Sequence, residues 1–165
     1  MKVILMNQQE FHMLDDEKLI WIYVELIIRK VRGKAPATKS QIIMQLTNGQ
    51  RALFLFQVLY GHANNGIPQF FAQISYLADR LDIWSALKSG MKYFNDIEML
   101  SLIEKMETVY AYYEVAQRRE DRILLDELEK LYKERIPFTL KRIGSLIRSN
   151  PAEFTVSFDL ISYEK

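Results

Sequence analysis

The sequence predicts an all-α protein, and three observations carry that prediction. Apolar residues recur at three- and four-residue spacing over long stretches, residues that cap helices stand where those stretches begin, and Gly, Asn and Pro gather between them. A chain of 165 residues can bury about 70% of the surface its unfolded form exposes, so one core suffices. The expected architecture is therefore a single-domain helical bundle spanning residues 1–165, with about six to seven helices. A short N-terminal extended segment is expected to pair with a C-terminal one, or the latter to lie as an arm on the bundle.

In chain order, Lys2 to Met6 reads as extended. Asp15 or Asp16 caps the first clear helix, where acids favour the positive helix end. Its apolar pattern from Lys18 to Val31 is longer than an ordinary strand, which argues for helix despite its β-branched content. Arg29, Lys30 and Arg32 fall in the last turn and Gly33 closes it. Lys34 to Thr38 is the one plausible flexible linker, followed by a minor helix from Lys39 to Leu46. Between Ser40 and Ala78 the only Asp, Glu, Lys or Arg is Arg51, although 26% of the chain is charged. That stretch belongs inside. Thr47 and Gln50 have capping-box spacing, and Ala52 to Tyr60 is apolar on every face but that of Gln57, as in a helix surrounded by others. Gly61 to Gly66 ends this helix, and Pro68 suits the first turn of the next.

Leu77, Leu81, Trp84, Leu87 and Met91 then mark an amphipathic stretch, with a break near Leu81 to Ile83 and an end at Gly90 or Asn95. Met99, Leu102, Ile103, Met106, Tyr110 and Tyr113 share one face of the following helix. Leu124, Leu128, Leu131 and Tyr132 do so in the next, with Asp126–Lys130 and Glu129–Lys133 as i,i+4 pairs. Pro137 is expected to separate it from a last helix that carries Leu140, Ile143 and Ile147 and stops at Ser149-Asn150-Pro151. Phe154, Val156, Phe158 and Leu160 alternate with polar residues, the period of a half-buried strand.

The segment Leu46-Thr47-Asn48-Gly49-Gln50-Arg51-Ala52-Leu53, with Asn64-Asn65-Gly66-Ile67-Pro68-Gln69-Phe70-Phe71 after it, resembles the signature of a family of small helical bacterial proteins. The family carries a domain of unknown function and is called DMP-like, because its best-known member is described as a DNA mimic. Its loop reads approximately Asn-Gly-Gly-aromatic-x-Gln-aromatic-Phe. Here Asn65 stands in for the first Gly of that pattern and Ile67 for the aromatic. Ile147-Arg148-Ser149-Asn150-Pro151-Ala152-Glu153-Phe154 is a weaker echo of its closing segment. The resemblance spans roughly residues 46–154, and implies a helical fold and a non-enzymatic interaction role.

Charge bears on the version of that role. Lys and Arg total 22 against 21 Asp and Glu, a net charge of +1, whereas duplex DNA carries one negative charge per ~1.7 Å. There is no acidic excess for wholesale mimicry, although Asp15-Asp16-Glu17 and the acids between Glu120 and Glu129 are available for a local acidic face. The basic run Arg29, Lys30, Arg32, Lys34 and Lys39 suits a phosphate backbone or a solvated helix end. A sequence pI near 7.9 speaks against dedicated nucleic-acid binding.

Zero Cys excludes a disulfide and a thiolate nucleophile. No apolar run reaches the ~18 residues of a membrane span, and no secretion signal is visible, so the expected location is cytoplasmic. Two His, at positions 12 and 62, make neither a metal set nor a base with its partner. No phosphate loop or nucleophile elbow occurs, and no cofactor is expected. The candidate site is His62, Asn64, Asn65, Gly66, Gln69, Phe70 and Phe71. These residues form either a recognition patch or turn and core chemistry, and the residue types favour the second. The expected function is a non-enzymatic protein–protein interaction module, an inhibitor or DNA-mimic-like regulator whose partner is another protein. The alternative is a small-molecule pocket around Phe70, Phe71 and Trp84 with Asn64, Gln69 and His62 at its mouth.

Overall fold

The computed structural model describes residues 8–78, 82–116 and 119–156. Among them are nine helices and no strand: α1 (Gln8–Met13), α2 (Asp16–Val31), α3 (Pro36–Met44), α4 (Asn48–Ala63), α5 (Ile67–Ala78), α6 (Ile83–Tyr93), α7 (Ile97–Ala116), α8 (Arg119–Ser149) and α9 (Pro151–Phe154). The all-α expectation holds. The helix number exceeds the expected six to seven because α1 and α9 are single short turns without a full apolar period to announce them.

Helix α4 is the axis of the bundle. From Gly49 to Tyr60 none of its residues is exposed, since α2, α5, α6 and α9 all pack on it. Its start is the expected capping box: Gln50 N donates to Thr47 Oγ1 at 3.1 Å, and Thr47 N to Gln50 Oε1 at 3.0 Å. Asp15 caps α2 by accepting from Lys18 N at 2.8 Å, and Gly33 follows that helix at φ +72°. Pro68 lies in the first turn of α5. Buried Leu19, Val24, Leu53, Phe56, Leu59, Ile103, Tyr132 and Ile143 show how α2, α4, α7 and α8 share one core. Each such side chain contributes roughly 1.5–3 kcal/mol of burial.

Four expectations are corrected, and of the two ends offered for α6 the structure has the second. Pro137 does not separate two helices: α8 runs through it. Leu125, Leu128, Tyr132, Thr139, Ile143 and Ile147 form one buried stripe across it, and Pro137 itself is exposed, so the carbonyl it cannot reach lies on the solvent side. In α8 Leu125 faces the core and Leu124 is exposed; two adjacent leucines left that register ambiguous. The linker at Lys34 to Thr38 is shorter than expected, because Pro36 is already the first residue of α3. Gly90 does not end α6 but is buried against Ala52 and Leu55 of α4; the stop is Asn95, at φ +54°, with Asp96 N bonded back to Met91 O at 3.0 Å. Phe154, taken for strand, closes α9. Beyond it Thr155 is exposed and Val156 buried against Ile27 and Leu46. Residues 157–160 and the Lys2 to Met6 segment lie outside the described residues, as does the middle of the break between α5 and α6.

Candidate functional site

The α4–α5 turn separates the predicted site residues into two groups. Gly66, at φ +114°, makes the turn in a backbone region open chiefly to glycine. Phe70 and Phe71 point inward and are fully buried. Their rings pack with Trp84 at centroid distances of 5.9 and 6.3 Å, and Tyr110 closes the cluster at 5.2 Å from Phe71 and 5.5 Å from Trp84. These are the rings around which a small-molecule pocket was the alternative, and they pack directly on one another. On the outside, Asn64, Asn65 and Gln69 are exposed and His62 is half-buried. Gln69 thus lies at the surface and not in the core.

Asn64 ends α4 and accepts from Tyr132 Oη at 3.1 Å, fixing the turn to α8. Burial pushes the Tyr132 phenol far above its ordinary value, so it stays a neutral donor. Asn65 Nδ2 reaches back to Gly61 O at 3.3 Å. The polar residues of the turn are thereby spent largely on closing it.

The first and last segments of the family resemblance meet at the other end of α4. Thr47 Oγ1 donates to Glu153 O at 2.6 Å, Gly49 N donates to Glu153 Oε1 at 2.7 Å, and Gln50 Nε2 donates to Thr155 O at 2.7 Å. A carboxylate from α9 thus sits on the positive end of α4. A Cβ at position 49 would lie 2.7 Å from Glu153 Cγ, which gives that glycine a packing reason. The acids of residues 15–17 are likewise occupied: Asp15 with Lys18 at 2.9 Å, Asp16 with Arg148 at 2.5 Å and Glu17 with Tyr60 Oη at 2.7 Å. They do not form a free acidic face.

A different surface stands out between α7 and α8. Asp96 is buried and begins α7: its Oδ1 accepts from Met99 N at 3.1 Å and from Arg135 Nη2 at 2.7 Å, its Oδ2 from Thr139 Oγ1 at 2.7 Å. Burial works against its ionisation, but the Thr139 hydroxyl, the Met99 N–H and Arg135 together hold the carboxyl below its ordinary value. Arg135 also pairs with Glu98, and its guanidinium lies 5.5 Å from the centre of the Phe138 ring.

Beside this network runs an open groove of about 320 Å³, lined by Glu98, Ser101, Leu102, Lys105, Leu131, Glu134, Arg135 and Phe138. Phe138 is 61% exposed, Leu124 45% and Ile97, next to Glu98, 71%. Leu124, Leu131 and Phe138 are seven residues apart and share one stripe of α8. None of these groove residues was singled out as a site from the sequence. The legible signal was Asn95-Asp96, a helix stop followed by a cap; the carboxylate's use of residues 39 and 43 positions away was not.

Among the described residues no three His, Asp or Glu side chains are placed to hold a metal ion, and no helix is long and apolar enough to cross a membrane. Comparison with family models, curated proteins and solved structures finds no match.

Proposed function

We propose that this protein is a non-enzymatic interaction module, a regulator or inhibitor that docks another protein on the α7–α8 face. The observation that carries the reading is the exposure of Phe138 in a groove that it lines with Leu102 and Leu131 and whose walls are fixed by the buried Asp96–Arg135–Thr139 network; Ile97 and Leu124 are further exposed apolar side chains of α7 and α8. Large apolar side chains gathered on a rigid surface favour protein docking, because association removes them from water. The resemblance to the DMP-like family supports the same class of role; the cytoplasmic setting proposed with it rests on the sequence, which shows neither a secretion signal nor a membrane span. A balanced charge of +1 favours a local surface over mimicry of a whole duplex.

The test is retention from lysate on tagged wild type and on Phe138→Glu, at low and moderate salt, with mass spectrometry and a circular-dichroism check that the variant folds. One stoichiometric protein held by wild type and lost with Phe138→Glu is expected. Nothing specific held at either salt contradicts the reading.

A further inference from the structure

The charges along the α7–α8 face balance in number but not in position. We infer that, while no other protein occupies it, this face closes on a second copy of the chain, with the two α8 helices antiparallel about a two-fold axis at Phe138. This rests on the docking reading above and adds what covers the surface when the docked protein is absent.

Between Leu131 and Ser145 the charged residues of α8 are Lys133, Glu134, Arg135, Lys141 and Arg142. Lys133 pairs with Glu129 at 2.8 Å and, five residues before Phe138, lies on the far side of the helix. The others border Phe138, Glu134 and Lys141 on one edge, Arg135 and Arg142 on the other. Arg135 is not a free cation: it binds Asp96 and Glu98, and 17% of its side chain is exposed against 73% for Glu98. Together those three groups carry one negative charge, so with Glu134 the half of the face before Phe138 carries two. The half after it carries two positive charges, on the exposed Lys141 and Arg142. A face acidic at one end and basic at the other complements a copy of itself laid antiparallel.

Spacing sets the register. Glu134 stands about 6 Å before Phe138 along the helix axis and Lys141 about 4.5 Å after it, so the two-fold brings each to within about 1.5 Å of level with the opposite charge of the other copy. On the other edge Arg142 comes level with Glu98 and Arg135 in the same way. Phe138, 61% exposed, meets its own copy at the axis. Leu131 falls opposite Ser145 of the second copy, a small exposed side chain whose hydroxyl donates to Lys141 O at 2.8 Å. Glu127 and Lys130 lie more than two turns from the axis, and Lys105 two turns along α7 from Glu98. These three fall opposite the stretch after Ser145, whose Arg148 is already bonded to Asp16 and to Leu14 O. An axis at Leu131 would instead set Glu127 against Glu134, and a parallel pair would set every charge against itself.

The experiment is sedimentation equilibrium of the full chain at low and moderate salt, with circular dichroism to establish that each variant folds. One helical face of about four turns is smaller than a standard interface, so a reversible dimer with a Kd of about 10–100 µM is expected, weaker at the higher salt. Phe138→Glu should be monomeric. Glu134→Lys and Lys141→Glu should each weaken dimerisation by about tenfold. The double variant Glu134→Lys/Lys141→Glu should restore it, and the two single variants, mixed, should pair with each other. A wild type monomeric up to about 1 mM, a dimer unmoved by Phe138→Glu, or a double variant no better than the single ones overturns the inference. A monomeric wild type that still captures a protein from lysate through Phe138 overturns the self-pairing and leaves the docking reading standing. Capture of nothing, while the dimer and its charge swap hold, supports the self-pairing and overturns the docking reading.

Discussion

Asp96 shows how much one side chain can organise. It caps α7 and ties it to α8 through Arg135 and Thr139, with no exposed side-chain surface. Removing one partner of a buried pair strands the other, at about 3–5 kcal/mol, so Asp96→Ala should lose that much in urea unfolding. The pH dependence has a definite sign. A carboxyl held below its ordinary value of 3.8 contributes stability that is present above that value and lost as pH falls through the lower folded one. Asp96→Asn should therefore unfold less steeply with acid than wild type below about pH 4; an unchanged acid profile would sever the network from stability. Gly144 is a second strict position, since a Cβ there would lie 2.1 Å from Asp16 Oδ1. Gly144→Ala must displace the Asp16–Arg148 pair, and a loss of about 1–3 kcal/mol is expected in the same assay. The sequence showed Gly144 only as a small residue in a helical pattern; its tightness comes from a helix more than 100 residues away in the chain.

At the scale of elements, the capping box of α4, the Asp15 cap of α2 and the Gly66-Pro68 turn were legible because each is made by residues a few positions apart. Pro137 was not. Its local rule, a helix break, is outweighed by a continuous buried stripe that places the ring on the solvent side. The account makes this testable, because proline costs a helix interior about 3 kcal/mol relative to alanine. Pro137→Ala should raise stability by about 1–3 kcal/mol, the lower figure allowing for the stiffness proline lends the unfolded chain. A lower Tm would mean the α8 path depends on the ring. The junction of α9 with α4 was half legible: the sequence marked both segments through the family resemblance, but not that Glu153 closes on Gly49.

For the whole molecule, the all-α class and the interior place of residues 49–60 followed from period and charge distribution, but the same uncharged stretch was expected inside from Ser40 onward, and α3 buries none of its residues, so lack of charge alone did not mark the core. The candidate site fared differently. The α4–α5 turn drew attention by its unusual residue types, yet backbone geometry and ring packing account for most of them. The α7–α8 groove went unmarked because its apolar α8 members, Leu131 and Phe138, look like core residues until the burial of Leu125, Leu128 and Tyr132 shows which face of α8 is already covered. The central claim is that this groove, and not the turn, is the docking surface. Amide hydrogen exchange of the protein alone and with its captured partner compares the two directly. Added protection over residues 97–105 and 124–138, with 61–69 unchanged, is the predicted result. Protection confined to 61–69 would contradict the account and return the site to the turn.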